Sequence, residues 1–286
     1  MINENVGIVL EGGAMRSIFS AGVIDFLLEK NIKIPNVLAI SAGAYAGMNY
    51  VSEQKGRVMD AVVNPLKEYK YLGFGTFLKK GTFFDMDYLF EEVPQKKSHF
   101  DFEKFQNFKG RFITSTVDCN TGETVYFEKF KDEKEFFKIC KAANSLPLIA
   151  KISYINGRPM LDGGVSEPVP IEKALKEGWE KIVVVLTRED AYRKKEGVDM
   201  QLRLCRMIYR KYPKLLELGN VRGKKYNESV QKVLELEKQG RAFVIRPTAL
   251  KLSNNESRVD KLVEAYQHGY ETIAARYQEL MEFLGY

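Results

Sequence analysis

Ser41 follows the apolar run 37–40 and opens a stretch rich in small residues, within Ala39-Ile40-Ser41-Ala42-Gly43. A serine at a strand-to-helix junction lies near the free amides of a helix N-terminus, which favour a developing alkoxide. The pattern is one residue away from the G-x-S-x-G nucleophile elbow, which needs tiny neighbours on both sides. Gly43 supplies one, and Ala39 adds a single methyl group on the other. The same serine also suits a plain helix N-cap. Upstream, Glu11-Gly12-Gly13-Ala14-Met15-Arg16 follows another apolar run. Its small residues can present backbone N–H groups to an oxyanion, or simply form a tight turn. It lacks the G-x-G-x-x-G spacing of a dinucleotide turn and the Gly-Lys-Ser/Thr of a phosphate loop. Downstream, Asp162-Gly163-Gly164 reads by default as a turn.

A serine nucleophile needs a base, and the chain has only two histidines, His99 and His268. His99 sits among Lys96, Lys97 and Ser98 as in a surface loop, and His268 falls off the apolar stripe of its helix. Asp162 is then the economical base. Its free pKa of about 3.9 is too low for efficient proton abstraction, so burial would have to raise it. Cys119, Cys140 and Cys205 lie far apart, which excludes a C-x-x-C metal or redox motif and suits a reducing compartment. The chemistry so read needs no metal or organic cofactor.

The elements that must position these groups are legible from the hydrophobic pattern. The 286 residues carry 44 Lys and Arg against 38 Asp and Glu, a net +6. That charge does not call for nucleic acid, but it is compatible with an anionic lipid surface or a phosphate-bearing substrate. No apolar stretch is long enough to span a membrane and no secretory signal opens the chain, so a cytoplasmic protein, at most peripheral to a membrane, is expected. Buried strands are expected at 6–10, 37–40, 182–186 and 242–245, a hairpin at 111–117 and 124–127, and helices at 16–30, 133–143 and 171–177. Helices at 202–212, ended by Pro213, then 228–239 and 258–284 fill the last part. Strand–turn–helix units in the first 50 residues predict an α/β fold with a parallel sheet.

Taken together and in order, the three motifs resemble the patatin-like phospholipase family, with its DGGGxRG turn, GxSxG elbow and DGG or DGA loop. Thr116-Val117-Asp118-Cys119-Asn120-Thr121-Gly122-Glu123 and Ala142-Ala143-Asn144-Ser145-Leu146-Pro147 are similar to the family too. The resemblance covers about 5–187. It implies a three-layer sandwich with a mainly parallel central sheet, residues 1–190 as the hydrolase core and 191–286 as a helical C-terminal part packed on it. It further implies a Ser41–Asp162 dyad without histidine. Gly12, Gly13 and Ala14 would form the oxyanion hole, Arg16 would steady that turn, and Ala39, Gly43, Gly163 and Gly164 would support the elbow and acid loop. Ala14, Ser17 and Ala39 stand where the family has glycine, and a positive φ at Ala14 would cost about 1 kcal/mol.

The expected activity is acyl-ester hydrolysis on a phospholipid, lysophospholipid or related lipid. Alternatives are a non-catalytic lipid-binding homologue and an ordinary hydrolase with a Ser41–Asp162–His268 triad. Phe74, Phe77, Phe83 and Phe84, beside Lys79 and Lys80, read either as core or as a membrane contact. Arg203, Arg206 and Arg210 share one helix face, solvated or turned to lipid phosphates.

Overall fold

The computed structural model describes residues 3–197, 200–248 and 252–286. Strand β1 (Val6–Leu10) leads through the glycine turn to α1 (Ile18–Glu29), and β2 (Asn36–Ala39) leads to α2 (Ala42–Val51). Helices α3 (Phe74–Lys80) and α4 (Phe102–Gln106) precede the hairpin β3 (Arg111–Asp118) and β4 (Thr124–Phe127). Then come α5 (Glu133–Ala143), the short strands β5 (Ser153–Ile155) and β6 (Arg158–Asp162), α6 (Ile171–Lys176) and β7 (Lys181–Val185). The remainder is α7 (Met200–Ile208), α8 (Pro213–Lys238), β8 (Ala242–Ile245), α9 (Val259–Ala275) and α10 (Tyr277–Leu284).

One sheet runs in the order β5-β6-β3-β2-β1-β7-β8, with β4 paired to β3. The strands from β3 through β2, β1 and β7 to β8 are mutually parallel, and β4, β5 and β6 add antiparallel pairs. The central strands are apolar on both faces because helices cover both, as parallel sheets require. Ile8, Leu10, Val183 and Val185 pack with α1, α2 and α9. Val9, Ile182 and Val184 face α6 and α8 on the other side. The mixed α/β sandwich with C-terminal helices thus follows the expected class. At the α1–α9 crossing, a side chain at Gly22 would overlap the Tyr266 carbonyl and one at Gly269 would overlap that of Phe19, so hydrogen alone allows the approach.

Several boundaries differ from the sequence expectation. Pro213 begins a helix that runs unbroken to Lys238, where a separate helix at 228–239 was expected. Proline is tolerated in the first turn, where its missing N–H has no acceptor to lose. The expected 258–284 helix breaks at Arg276, whose Nη1 donates to the Val244 carbonyl at 2.6 Å while its guanidinium lies over the Phe243 ring. Asp162 ends a strand instead of sitting in a plain loop, because Asn156 and Gly157, both at positive φ, turn β5 back onto β6. The aromatics of 74–84 divide. Phe84 is buried, whereas Phe74 and Leu78 are 66% and 70% exposed and Phe77 stacks on Phe83 near the surface.

Candidate active site

Three carboxyl ends of parallel strands converge here: Gly12 follows β1, Ser41 follows β2, and Thr187 and Arg188 follow β7. Because β2 and β7 flank β1, the chain order reverses at this edge, where α/β sheets open a ligand crevice. Ser41 adopts φ 55° and ψ −133°, a backbone conformation that a serine pays strain to hold. The Gly43 amide bonds the Ile40 carbonyl at 2.9 Å, and the Ala44 amide bonds that of Ser41 at 2.8 Å, so the helix starts directly beneath the turn. A Cβ on Gly43 would stand 2.6 Å from the Leu10 carbonyl oxygen, which fixes glycine there. The methyl of Ala39 is accommodated because Gly47 opposite has no side chain.

The glycine turn lies against the serine. A Cβ on Gly12 would approach the Ser41 Cβ to 2.6 Å and its Oγ to 3.4 Å. Among the described residues the amides of Gly12, Gly13 and Ala14 have no acceptor, and neither has the amide of Ala42. Ala14 takes φ 49°, the strained conformation its glycine-like position demands, while Ser17 sits in ordinary helical geometry. Glu11 anchors the turn: its buried carboxylate accepts the Thr187 amide at 2.6 Å, and Thr187 Oγ1 donates to the Gly12 carbonyl at 3.2 Å. Burial raises the Glu11 pKa.

Asp162 is fully buried in the same cavity. Its Oδ1 accepts the Gly164 amide at 2.7 Å, and its Oδ2 has no hydrogen-bonding partner. Burial lifts its pKa to about 6, opposed by the nearby Ser41 hydroxyl, the Gly164 amide and the charge of Arg222. Gly163 must be glycine, since a side chain would overlap Ser115 Oγ of β3. Arg222 of α8 donates through Nε to the Gly164 carbonyl at 3.0 Å, so the C-terminal part braces the acid loop. His268 does not line this cavity; its Nε2 faces the Thr248 amide at 3.2 Å and its ring packs on Phe19.

Two cavities meet at Ser41. One of about 330 Å³ holds Asp162, Arg16, Arg188, Tyr192, Lys194 and Arg222. The other, about 70 Å³, is walled by Val58, Val62, Met86, Leu89 and Phe90. Leu146 and Ile149 border both. The resemblance gave Arg16 the task of steadying the turn, yet its side chain makes no hydrogen bond or ion pair among the described residues and lines the larger cavity. Arg188, Lys194 and Arg222 were missed in the sequence. The one local signal for Arg188 was its place just past the end of a buried parallel strand.

A family model described as patatin-like phospholipase matches residues 8–175, and a domain of unknown function (DUF6363) matches residues 212–285. An uncharacterized protein of Escherichia coli K12, YjjU, is 24% identical over 187 residues, 64% of this chain and 52% of that protein. The chain therefore spans about half the length of this curated relative. The structure of VipD from Legionella pneumophila aligns with TM-score 0.49 and 12% identity over 99% of this chain and 67% of that one. With the family model spanning more than half its length, the chain belongs to the patatin-like phospholipase family, lipid acyl hydrolases at the family level.

Proposed function

We propose that the chain is a serine hydrolase of lipid acyl esters, with Ser41 as nucleophile and Asp162 as general base. The observation that carries this reading is the pairing of a strained serine that lines the cavity with a buried carboxylate whose Oδ2 has no other partner. Oδ2 takes the hydroxyl proton as Ser41 Oγ attacks the ester carbon, and the carbonyl electron pair moves to oxygen. The amides of Gly12, Gly13, Ala14 and Ala42 are available to that oxyanion. Collapse breaks the bond to the alcohol, which leaves with the proton held by Asp162. Water then attacks the acyl-enzyme, gives its proton to Asp162, and Ser41 departs with that proton restored. A pKa near 6 keeps Asp162 ionised at neutral pH while making it a stronger base than a solvated aspartate.

Apolar and cationic exposed groups support docking to an anionic lipid surface. Phe74, Phe77, Leu78 and Phe83 stand beside Lys79 and Lys80. Met200, Leu204, Met207 and Ile208 of α7 are exposed alongside Arg203 and Arg206, on a helix whose other side lines the larger cavity. No helix among the described residues is long and apolar enough to cross a membrane.

A fluorophosphonate probe is expected to label Ser41 in the folded protein, and Ser41→Ala is expected to lose both labelling and ester hydrolysis with its thermal transition retained. Hydrolysis that survives Ser41→Ala refutes the nucleophile assignment. Failure of the wild-type protein to react favours a lipid-binding homologue without turnover.

A further inference from the structure

We propose that the larger cavity is an anion subsite built for a phosphate monoester on the alcohol side of the substrate, so that the chain selects acylglycerol phosphates over choline-bearing esters. The inference rests on the hydrolase reading for the identity of the scissile bond, but not for the binding of phosphate.

Arg16, Arg188, Lys194 and Arg222 line one cavity, and among the described residues the only acids that line it are Glu11 and Asp162. Glu11 accepts the Thr187 amide, and Asp162 accepts that of Gly164 through Oδ1 while its Oδ2 is reserved for Ser41 in the hydrolase reading. Among the described residues no carboxylate forms an ion pair with Arg16, Arg188 or Lys194, and Arg16 Nε is buried without an acceptor. Clustered, partly desolvated cations are costly unless an anion joins them. Lys194 registers that cost: burial beside Arg222, Arg16 and Arg188 lowers its pKa to about 7, with Glu11 opposing. Burial and the neighbouring Arg188 likewise bring Arg16 down to about 10.

The cluster is held in place by specific contacts. Asn227 grips the Lys194 main chain from both sides, accepting its amide at 2.8 Å and donating to its carbonyl at 3.0 Å. A Cβ on Gly223 would stand 2.5 Å from the Lys195 carbonyl oxygen, so only glycine lets this strip lie directly on α8. Arg222 is fixed by its bond to the Gly164 carbonyl.

The chemistry favours a dianion without an attached ammonium. A trimethylammonium would meet the guanidinium groups of Arg16, Arg188 and Arg222, and one face of the Tyr192 ring is already taken by the Arg188 guanidinium at 4.2 Å. A phosphate monoester brings up to two charges and terminal oxygens suited to the arginine fork. The apolar cavity on the far side of Ser41 suits the acyl chain, which leaves the cationic side for the alcohol.

The test compares 1-acylglycerol 3-phosphate with the matching 1-acylglycerophosphocholine and an uncharged acyl ester, in wild type, Arg188→Gln and Lys194→Met. Wild type is expected to favour the phosphate over the choline ester by about tenfold or more in kcat/KM, mainly through KM. Each variant is expected to lose most of that ratio. Equal rates on the two lipids, or a ratio unchanged in both variants, overturns the proposal. Inorganic phosphate is expected to inhibit competitively and to raise the thermal transition of wild type but not of Lys194→Met. If it does so while the phosphate lipid is not preferred, the cavity takes free phosphate and the head-group assignment falls. If Ser41 resists the fluorophosphonate while the Lys194-dependent thermal shift persists, the hydrolase reading fails and phosphate binding stands.

Discussion

Of the two cavities that meet at Ser41, one is walled by Val58, Val62, Met86, Leu89 and Phe90, while the other sets Arg16, Arg188, Lys194 and Arg222 beside apolar groups such as Leu215 and Leu216. The apolar wall comes mostly from the irregular helical segments between α2 and β3. The charged wall comes mostly from the chain that follows β7, and only Arg16 belongs to the first strand–turn–helix unit. Ser41 and Asp162, the proposed reacting groups, sit at strand ends between them. Regular elements thus fix the proposed dyad, while two separate stretches decide what flanks it, in keeping with specificity carried by loops on a rigid scaffold.

Changes at the shared point are expected to be the most damaging to both sides. Asp162→Asn should lower kcat by about 10³-fold or more on every ester, whatever its head group, measured in steady state. The same variant should be more stable at neutral pH. Between about pH 4, the ordinary aspartate range, and about pH 6, the native state holds a proton that the unfolded state has released, so stability falls as pH rises through that window. Removing the charge recovers up to about 3 kcal/mol, readable by urea denaturation at pH 8. An Asp162→Asn protein no more stable than wild type at pH 8 argues against a buried ionised carboxylate.

The pH profile comes next in size. kcat/KM on an uncharged ester should fall about tenfold per unit below pH 6 and level off above it, because the base must be ionised. A flat profile between pH 5 and pH 8 removes Asp162 from the base role. Leu89→Trp sharpens the comparison from the apolar side. It should cut kcat/KM for long acyl chains by about tenfold while sparing short ones, leaving the preference between phosphate and choline unchanged. A change in head-group preference would merge the two cavities into one function. Smallest at the site is Gly269→Ala, expected to cost about 1–3 kcal/mol by forcing apart α1 and α9, with no change in either preference.

Much of the scaffold is local information. The apolar runs of β1, β2 and β7 declare buried parallel strands, and the small residues around Ser41 declare the elbow. The β5–β6 hairpin is equally legible in Asn156-Gly157, a strong two-residue turn signal that places Asp162 at a strand end and not in a loop. The long α8 was obscured because Pro213 reads as a terminator as readily as a first-turn residue. The charged wall was of another kind. Lys194 and Arg222 lie in stretches that look solvated, and nothing nearby in sequence tells them apart from Arg203 or Arg206, which are exposed. They become neighbours of Ser41 only because β7 pairs with β1 and α8 packs across that edge.

The bare backbone at position 223, in the wall of the larger cavity, gives the molecule an adjustment point. A single methyl group there would press on the Lys195 carbonyl and lift the strip that carries Lys194 away from its helix. The proposed charge discrimination could then be weakened by evolution or by design without altering any of the cationic side chains themselves.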